Sequence, residues 1–160
     1  MKEIGGISLN FLDRLSVAIM EKNPSIIFSS SNNKVMLNRN IIDRAEKIMP
    51  YLIYDEMPYL VIGDDGKLYW VIDAYTVSNE YPYSQKTKIT YEKSSKEINY
   101  IRNSVKVIVN AYDGDIDFYI TDKTDPIIMV YNNMYNGLFK EQSEIPERNF
   151  KVFYIFRIFI

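Results

Sequence analysis

Asp73 is the acid with most to offer chemically, because it interrupts an otherwise apolar run from Leu68 to Ser78. If that run is buried, the carboxylate needs a partner. Arg102 and Lys106, on a second strand-like segment, are the cations within plausible reach. Ser104 and Lys106 sit two apart, so on a strand they are expected to share a face, and a Ser–Lys pair can act as nucleophile and base without histidine. Two carboxylates across a scissile bond are the other route, since glycoside cleavage needs such a pair. Tyr81 and Tyr83, around Pro82, offer flat faces with polar tips that suit a sugar or a partner surface.

Each reading has a plainer rival. Asp73 also fits a structural ion pair or an exposed strand end, and the two tyrosines also fit the pinning of a long loop. Asp113, Asp115 and Asp117 alternate with Gly114 and Ile116 like the opening of a calcium loop. That loop needs Gly at its sixth position and Glu at its twelfth, where this chain has Phe118 and Thr124. A hairpin turn with solvated acids is the reading that remains. The candidate binding surface is therefore Asp73, Tyr75, Tyr81, Tyr83, Arg102 and Lys106, with no catalytic residue and no metal ligand assigned.

Composition removes whole classes of mechanism. The chain has no Cys and no His, which excludes disulfides, thiolate nucleophiles, imidazole bases and ordinary zinc sites. Carboxylate, Lys, Tyr or Ser chemistry remains, or a hard cation held by oxygens. A net charge of -2 provides no basic footprint for nucleic acid. No apolar run approaches the roughly 20 residues of a membrane span, and "MKEIGGISLN" lacks a signal-peptide core. Neither a glycine-rich phosphate loop nor a nucleophile elbow occurs, and no cofactor is expected.

The elements that must position these residues follow from periodicity. Leu9, Leu12, Leu15 and Ile19 recur at helical spacing from Ser8 to Glu21, and Asn23-Pro24 stops that helix. A loop, "SSSNNK", leads to a second helix capped by Asn38 or Asn40, with Ile41, Ile42, Ala45, Ile48 and Met49 on its apolar face. Beyond Pro58 the texture is β. "YLVIG", the turn "DDGK" and "LYWVIDAYTVS" form one hairpin, whose second strand is apolar on both faces and so belongs at the centre of a sheet. Residues 79–97 read as a long excursion without period. "INYIRNSVKVIVNAY", "DGD" and "IDFYITD" form a second hairpin, and a helix follows the Asp125-Pro126 cap and ends at Gly137. The expected fold is α+β: an antiparallel sheet from two hairpins, with two N-terminal helices and one C-terminal helix packed against it. Residues 1–146 are expected as one domain, helical over 1–57, β-rich over 58–122, with a helix after 125. Residues 147–160 form an apolar tail.

The segments "NRNIIDRAEKIMPYLIYDEMPYLVIGDDGKLYWVIDAYTVSNEYPYS", "INYIRNSVKVIVNAYDGDIDFYITDKTDPII", "GLFK" and "SEIPE" together resemble uncharacterised protein family 0182, bacterial membrane proteins of unknown function. "KLYWVIDAYT" and "INYIRNSVK" are the most specific parts. The resemblance implies an internal piece of a large extracytoplasmic region that follows several transmembrane helices. It carries over no catalytic or ligand-binding residue. The tail "RNFKVFYIFRIFI" departs from the family pattern, as expected of a truncated or frame-shifted product or a cut piece. The function this implies is a non-catalytic binding or assembly module on the extracytoplasmic side of the cell membrane. Its partners would be the rest of a membrane protein or another envelope protein, and no small-molecule ligand is named. An envelope glycan or peptide hydrolase using carboxylate or Ser–Lys chemistry is the alternative.

Overall fold

The computed structural model describes residues 7–28, 34–35, 39–63, 65–91 and 94–145. The chain falls into two compact units, Met1–Arg39 and Asn40–Ile160. Asn38, Asp64, the loop residues 29–33 and the tail 147–160 lie outside the described residues.

In the first unit the helix α1 spans Phe11–Met20, shorter at its start than the apolar spacing predicts. Ser8 instead lies in β1 (Ile7–Ser8), paired antiparallel with β2 (Lys34–Val35). The Asp13 carboxylate accepts the Asn10 amide at 3.2 Å, which satisfies one of the donors a helix start leaves open. The helix buries Arg14, Val17 and Ala18. Pro24–Ile26 forms a single 3-10 turn, with the Asn23 side chain accepting the Ser25 amide at 3.1 Å.

The second unit is α+β. Its helix α2 (Ile41–Ile48) is capped by Asn40, whose side chain accepts the Ile42 amide at 2.9 Å. The strands follow: β3 (Ile53–Tyr54), β4 (Tyr59–Ile62), β5 (Leu68–Ser78), β6 (Thr87–Tyr91), β7 (Ser94–Ile98), β8 (Tyr100–Asn110), β9 (Ile116–Ile120) and β10 (Phe139–Glu141). Helix α3 (Pro126–Met134) lies between β9 and β10. Both expected hairpins form, β4 with β5 and β8 with β9, and β5 pairs antiparallel with β8. One edge of β5 is taken by β8, so β3 and β4 share the other. The sheet runs β10-β9-β8-β5-β3, and its one parallel pair is β10 with β9. Parallel pairing is possible there because α3 carries the chain back across the sheet.

The described residues among 79–97 are more ordered than their composition suggests. They contain β6 and most of β7, which pair in a separate two-stranded ladder. The Tyr91 hydroxyl donates to Glu46 Oε1 at 2.7 Å, tying this ribbon to α2.

Both faces of the sheet are covered by apolar side chains, which is why β5 and β8 read as nearly continuous apolar runs. On one face Ile72, Ala74, Val105, Val107, Val109 and Phe118 pack with Ala45 and Met49 of the α2 end and Ile128 of α3. On the other, Val61, Val71, Ile108, Tyr119 and Ile145 form a smaller cluster with Tyr59 and Tyr69 beside it. Tyr54 locks α2 to the larger core. Its hydroxyl donates to the Met49 carbonyl at 2.6 Å, just past the helix end, and lies 3.1 Å from the Ala45 carbonyl, which already accepts the Met49 amide at 2.9 Å. Burial, helped by the Glu46 charge, raises the pKa of this phenol, so it stays a donor. Helix α3 ends at Met134 with Tyr135 as its C-cap, before the expected Gly137; Gly137, at φ +85, instead sits in the turn that the Leu138 amide closes on the Tyr135 carbonyl at 3.0 Å, where a left-handed residue needs no Cβ.

Candidate functional site

Alternation along β5 sends Ile72 and Ala74 to the helix-covered face and Asp73 to the opposite one. Asp73 lies directly across from Lys106 on β8, and Lys106 lies across from Tyr119 on β9. Tyr119 is in turn in register with Lys140 on β10. A single row therefore crosses four strands as Asp73, Lys106, Tyr119 and Lys140. Its first two members form an ion pair in which Lys106 Nζ donates to Asp73 Oδ1, with side chains only 8% and 12% exposed. Asn103 Nδ2 donates to the same carboxylate oxygen at 3.1 Å. At the far end Lys140 Nζ is 2.7 Å from Asp117 Oδ1 and sits 6.0 Å from the centre of the Tyr119 ring.

The phenols around the row are held protonated. Burial raises the pKa of Tyr59 and Tyr75, and the Asp73 charge adds to it. Burial and the neighbouring Asp117 push Tyr119 up to about 12. Such phenols donate hydrogen bonds at neutral pH and do not act as bases. Asn103 Oδ1 is buried without a hydrogen-bond partner.

A β-bulge decides what joins this row. Ala74 pairs with Val105 and Thr76 with Arg102, so Asn103 and Ser104 together lie opposite Tyr75. The extra residue turns Ser104 to the helix side, where its hydroxyl donates to Asp125 Oδ2. Ser104 and Lys106 thus sit on opposite faces, which overturns the expectation that they share one and removes the Ser–Lys pairing. Arg102 also leaves the row: its Nη1 lies 3.1 Å from Thr124 Oγ1 and 3.5 Å from Asp122 Oδ2. The expected convergence of Asp73, Arg102 and Lys106 is therefore limited to Asp73 and Lys106.

Asp125 gathers the second polar cluster. It is fully buried, accepts the hydroxyls of Thr76, Ser104 and Tyr100, and caps α3 through the Ile127 amide at 2.9 Å. Burial alone would raise its pKa, but those hydrogen bonds outweigh it and hold the carboxyl below its ordinary value. Burial and the Asp125 carboxylate push Tyr100 up to about 12.

Tyr83 approaches neither cluster, and Tyr81 reaches only the Asp125 cluster, through Tyr100. Tyr81 stacks on Tyr100 at 5.0 Å, and its backbone is clamped by Asn99, which accepts the Tyr81 amide at 3.0 Å and donates to its carbonyl at 2.7 Å. Tyr83 is fully exposed, with φ +61. The acids of the "DGD" turn serve the turn: Asp113 accepts the Asp115 amide at 3.1 Å and Asn110 Nδ2 at 2.9 Å. Among the described residues no three acids converge to hold a metal ion. Asn103, Tyr59 and Asn99 are the contributors that periodicity misses, because a bulge and a loop clamp leave no periodic trace.

The second unit is thus an α+β module with a mixed six-stranded sheet, α2 and α3 on one face, and a row of paired charges and tyrosines on the other. The chain belongs to the uncharacterised protein family UPF0182, whose model matches residues 2–151. It is 52% identical over 145 residues to the UPF0182 protein of Clostridium tetani (strain Massachusetts / E88), covering 89% of this chain and 15% of that protein. The UPF0182 protein of Clostridium botulinum (strain Hall / ATCC 3502 / NCTC 13319 / Type A) is 48% identical over 145 residues, with the same shares. That of Clostridium perfringens (strain ATCC 13124 / DSM 756 / JCM 1290 / NCIMB 6125 / NCTC 8237 / Type A) is 46% identical over 146 residues, again 89% of this chain and 15% of the protein. The chain spans 15% of the length of these relatives. No solved structure matches it. Among the described residues no helix is long and apolar enough to cross a membrane.

Proposed function

We propose that this chain is a binding or assembly module, without catalysis of its own, in the extracytoplasmic part of a bacterial membrane protein. The observation that carries this reading is the internal commitment of its reactive groups. Asp73 is taken by Lys106 and Asn103 in register within the sheet, and Ser104 is spent on Asp125. A general acid or nucleophile must instead be presented to a substrate at hydrogen-bond distance. The 15% share of its relatives' length supports the view of a module serving a larger whole. The extracytoplasmic side is read from the resemblance to a family of membrane proteins.

The test is thermal unfolding of the chain against cell-wall fragments, lipid head groups and divalent cations, run beside turnover assays on envelope glycans and peptides. Saturable stabilisation by one of these without turnover is the expected result, because a ligand that binds only the folded state raises its stability. Turnover abolished by Asp73→Asn, with the fold intact, would replace this reading with the hydrolase.

A further inference from the structure

Helix α3, "PIIMVYNNM", carries no charged residue. Its only polar side chains besides Tyr131 are Asn132 and Asn133. A helix apolar on most of its circumference is built to be buried on more than one side. Only one side is used here: Ile128 is fully buried, with Tyr131 packed on the core beside it. Val130 and Met134, one turn apart, are 54% and 66% exposed. Tyr51, itself exposed, extends the patch, with its ring 6.0 Å from Tyr131 and 6.3 Å from Tyr135. A contiguous aliphatic and aromatic surface of this kind marks an interaction site rather than scattered surface hydrophobics.

We infer that the Val130, Met134 and Tyr51 face docks against the remaining part of the family's own long polypeptide. The inference rests on the module reading above and names the surface through which the module is held. The occupant is argued from length: the C. tetani relative holds this segment in 15% of its chain, so most of that polypeptide lies outside it. The bilayer is the weaker candidate, because α3 has no Lys or Arg to meet anionic head groups, which interfacial helices carry on their polar face. The partner surface is apolar at its centre, to match the exposed Val130 and Met134.

The chain has no cysteine, so single thiols report accessibility directly. Val130→Cys and Met134→Cys are made in this chain and at the aligned positions of the full-length C. tetani protein in a cysteine-free background, with Tyr83→Cys as the exposed reference. In this chain both thiols are expected to react with maleimide about as fast as the reference. In the long protein they are expected to react at least about tenfold more slowly, since labelling then awaits local opening. Equal, fast labelling in both overturns the docking. Protection of the long protein that vanishes in detergent points to lipid instead, and protection in this chain that grows with its concentration points to a second copy; either overturns it. A membrane-impermeant maleimide on intact cells, read at the Tyr83 position, tests the extracytoplasmic reading separately. That reading can fail while protection at the α3 positions in solubilised protein stands.

Discussion

Removing the ammonium of Lys106 while leaving Asp73 in place is the sharpest perturbation available. Lys106→Met keeps the length of the stem and its packing along the sheet but strands a carboxylate whose side chain is 12% exposed. Breaking a buried pair from one side costs about 3–5 kcal/mol, and the small residual exposure of Asp73 places the loss near 3 kcal/mol. For a unit of this size that lowers the melting temperature by roughly 10 °C. The double variant Asp73→Asn/Lys106→Met restores most of the stability, because Asn103 Nδ2 keeps an oxygen to donate to and no charge is left uncompensated. The assay is urea unfolding of all four members of the cycle, which isolates the Asp73–Lys106 coupling from the other contacts Lys106 makes. A coupling of about 2 kcal/mol or more is expected. A single-variant loss below about 0.5 kcal/mol, or additivity of the two substitutions, would show that water screens the pair as it does at a surface, and the reasoning would fail.

Four further outcomes follow from the structure. Asp125→Ala should cost about 2–4 kcal/mol in urea unfolding, since it removes the α3 cap and orphans the hydroxyls of Ser104, Thr76 and Tyr100. Because the folded pKa of Asp125 is depressed, its contribution is fully present above its unfolded value of ~3.9 and fades as pH falls through the folded one; the gap between wild type and Asp125→Asn should therefore narrow from pH 5 towards pH 2. Tyr54→Phe should lose about 1–2 kcal/mol of stability by leaving the Met49 carbonyl without the hydroxyl that donates to it, and an unchanged urea midpoint would contradict that role. Gly114→Ala should destabilise more than Gly66→Ala: both have positive φ, but a Cβ at Gly114 would push the Arg44 guanidinium off its place against this turn, whereas at Gly66 it meets nothing within 4 Å. The difference between the two midpoints measures the Arg44 contact, which also includes its 2.7 Å hydrogen bond to the Gly114 carbonyl.

Local chemistry decided much by itself. The apolar alternation of β5 and β8 and the "DDGK" and "DGD" turns placed both hairpins, since pleat period and positive-φ glycines act over a few residues. The Asp125-Pro126 pair marked the start of α3 in the same way, and the start of α2 was narrowed to Asn38 or Asn40, of which the structure uses Asn40. The absence of Cys and His ruled out whole mechanisms without any structure. Asp73 stood out as an acid in an apolar strand, and its pairing with Lys106 was one of two partners the sequence allowed. Only the tertiary structure chose between them, because the choice depends on a bulge opposite Tyr75 that turns Ser104 and Arg102 away from the row. Which faces meet, which carboxylate finds three hydroxyls and which helix keeps an uncovered side are all set by residues far apart in sequence. Inter-strand register and packing carry that information, and no local period encodes it.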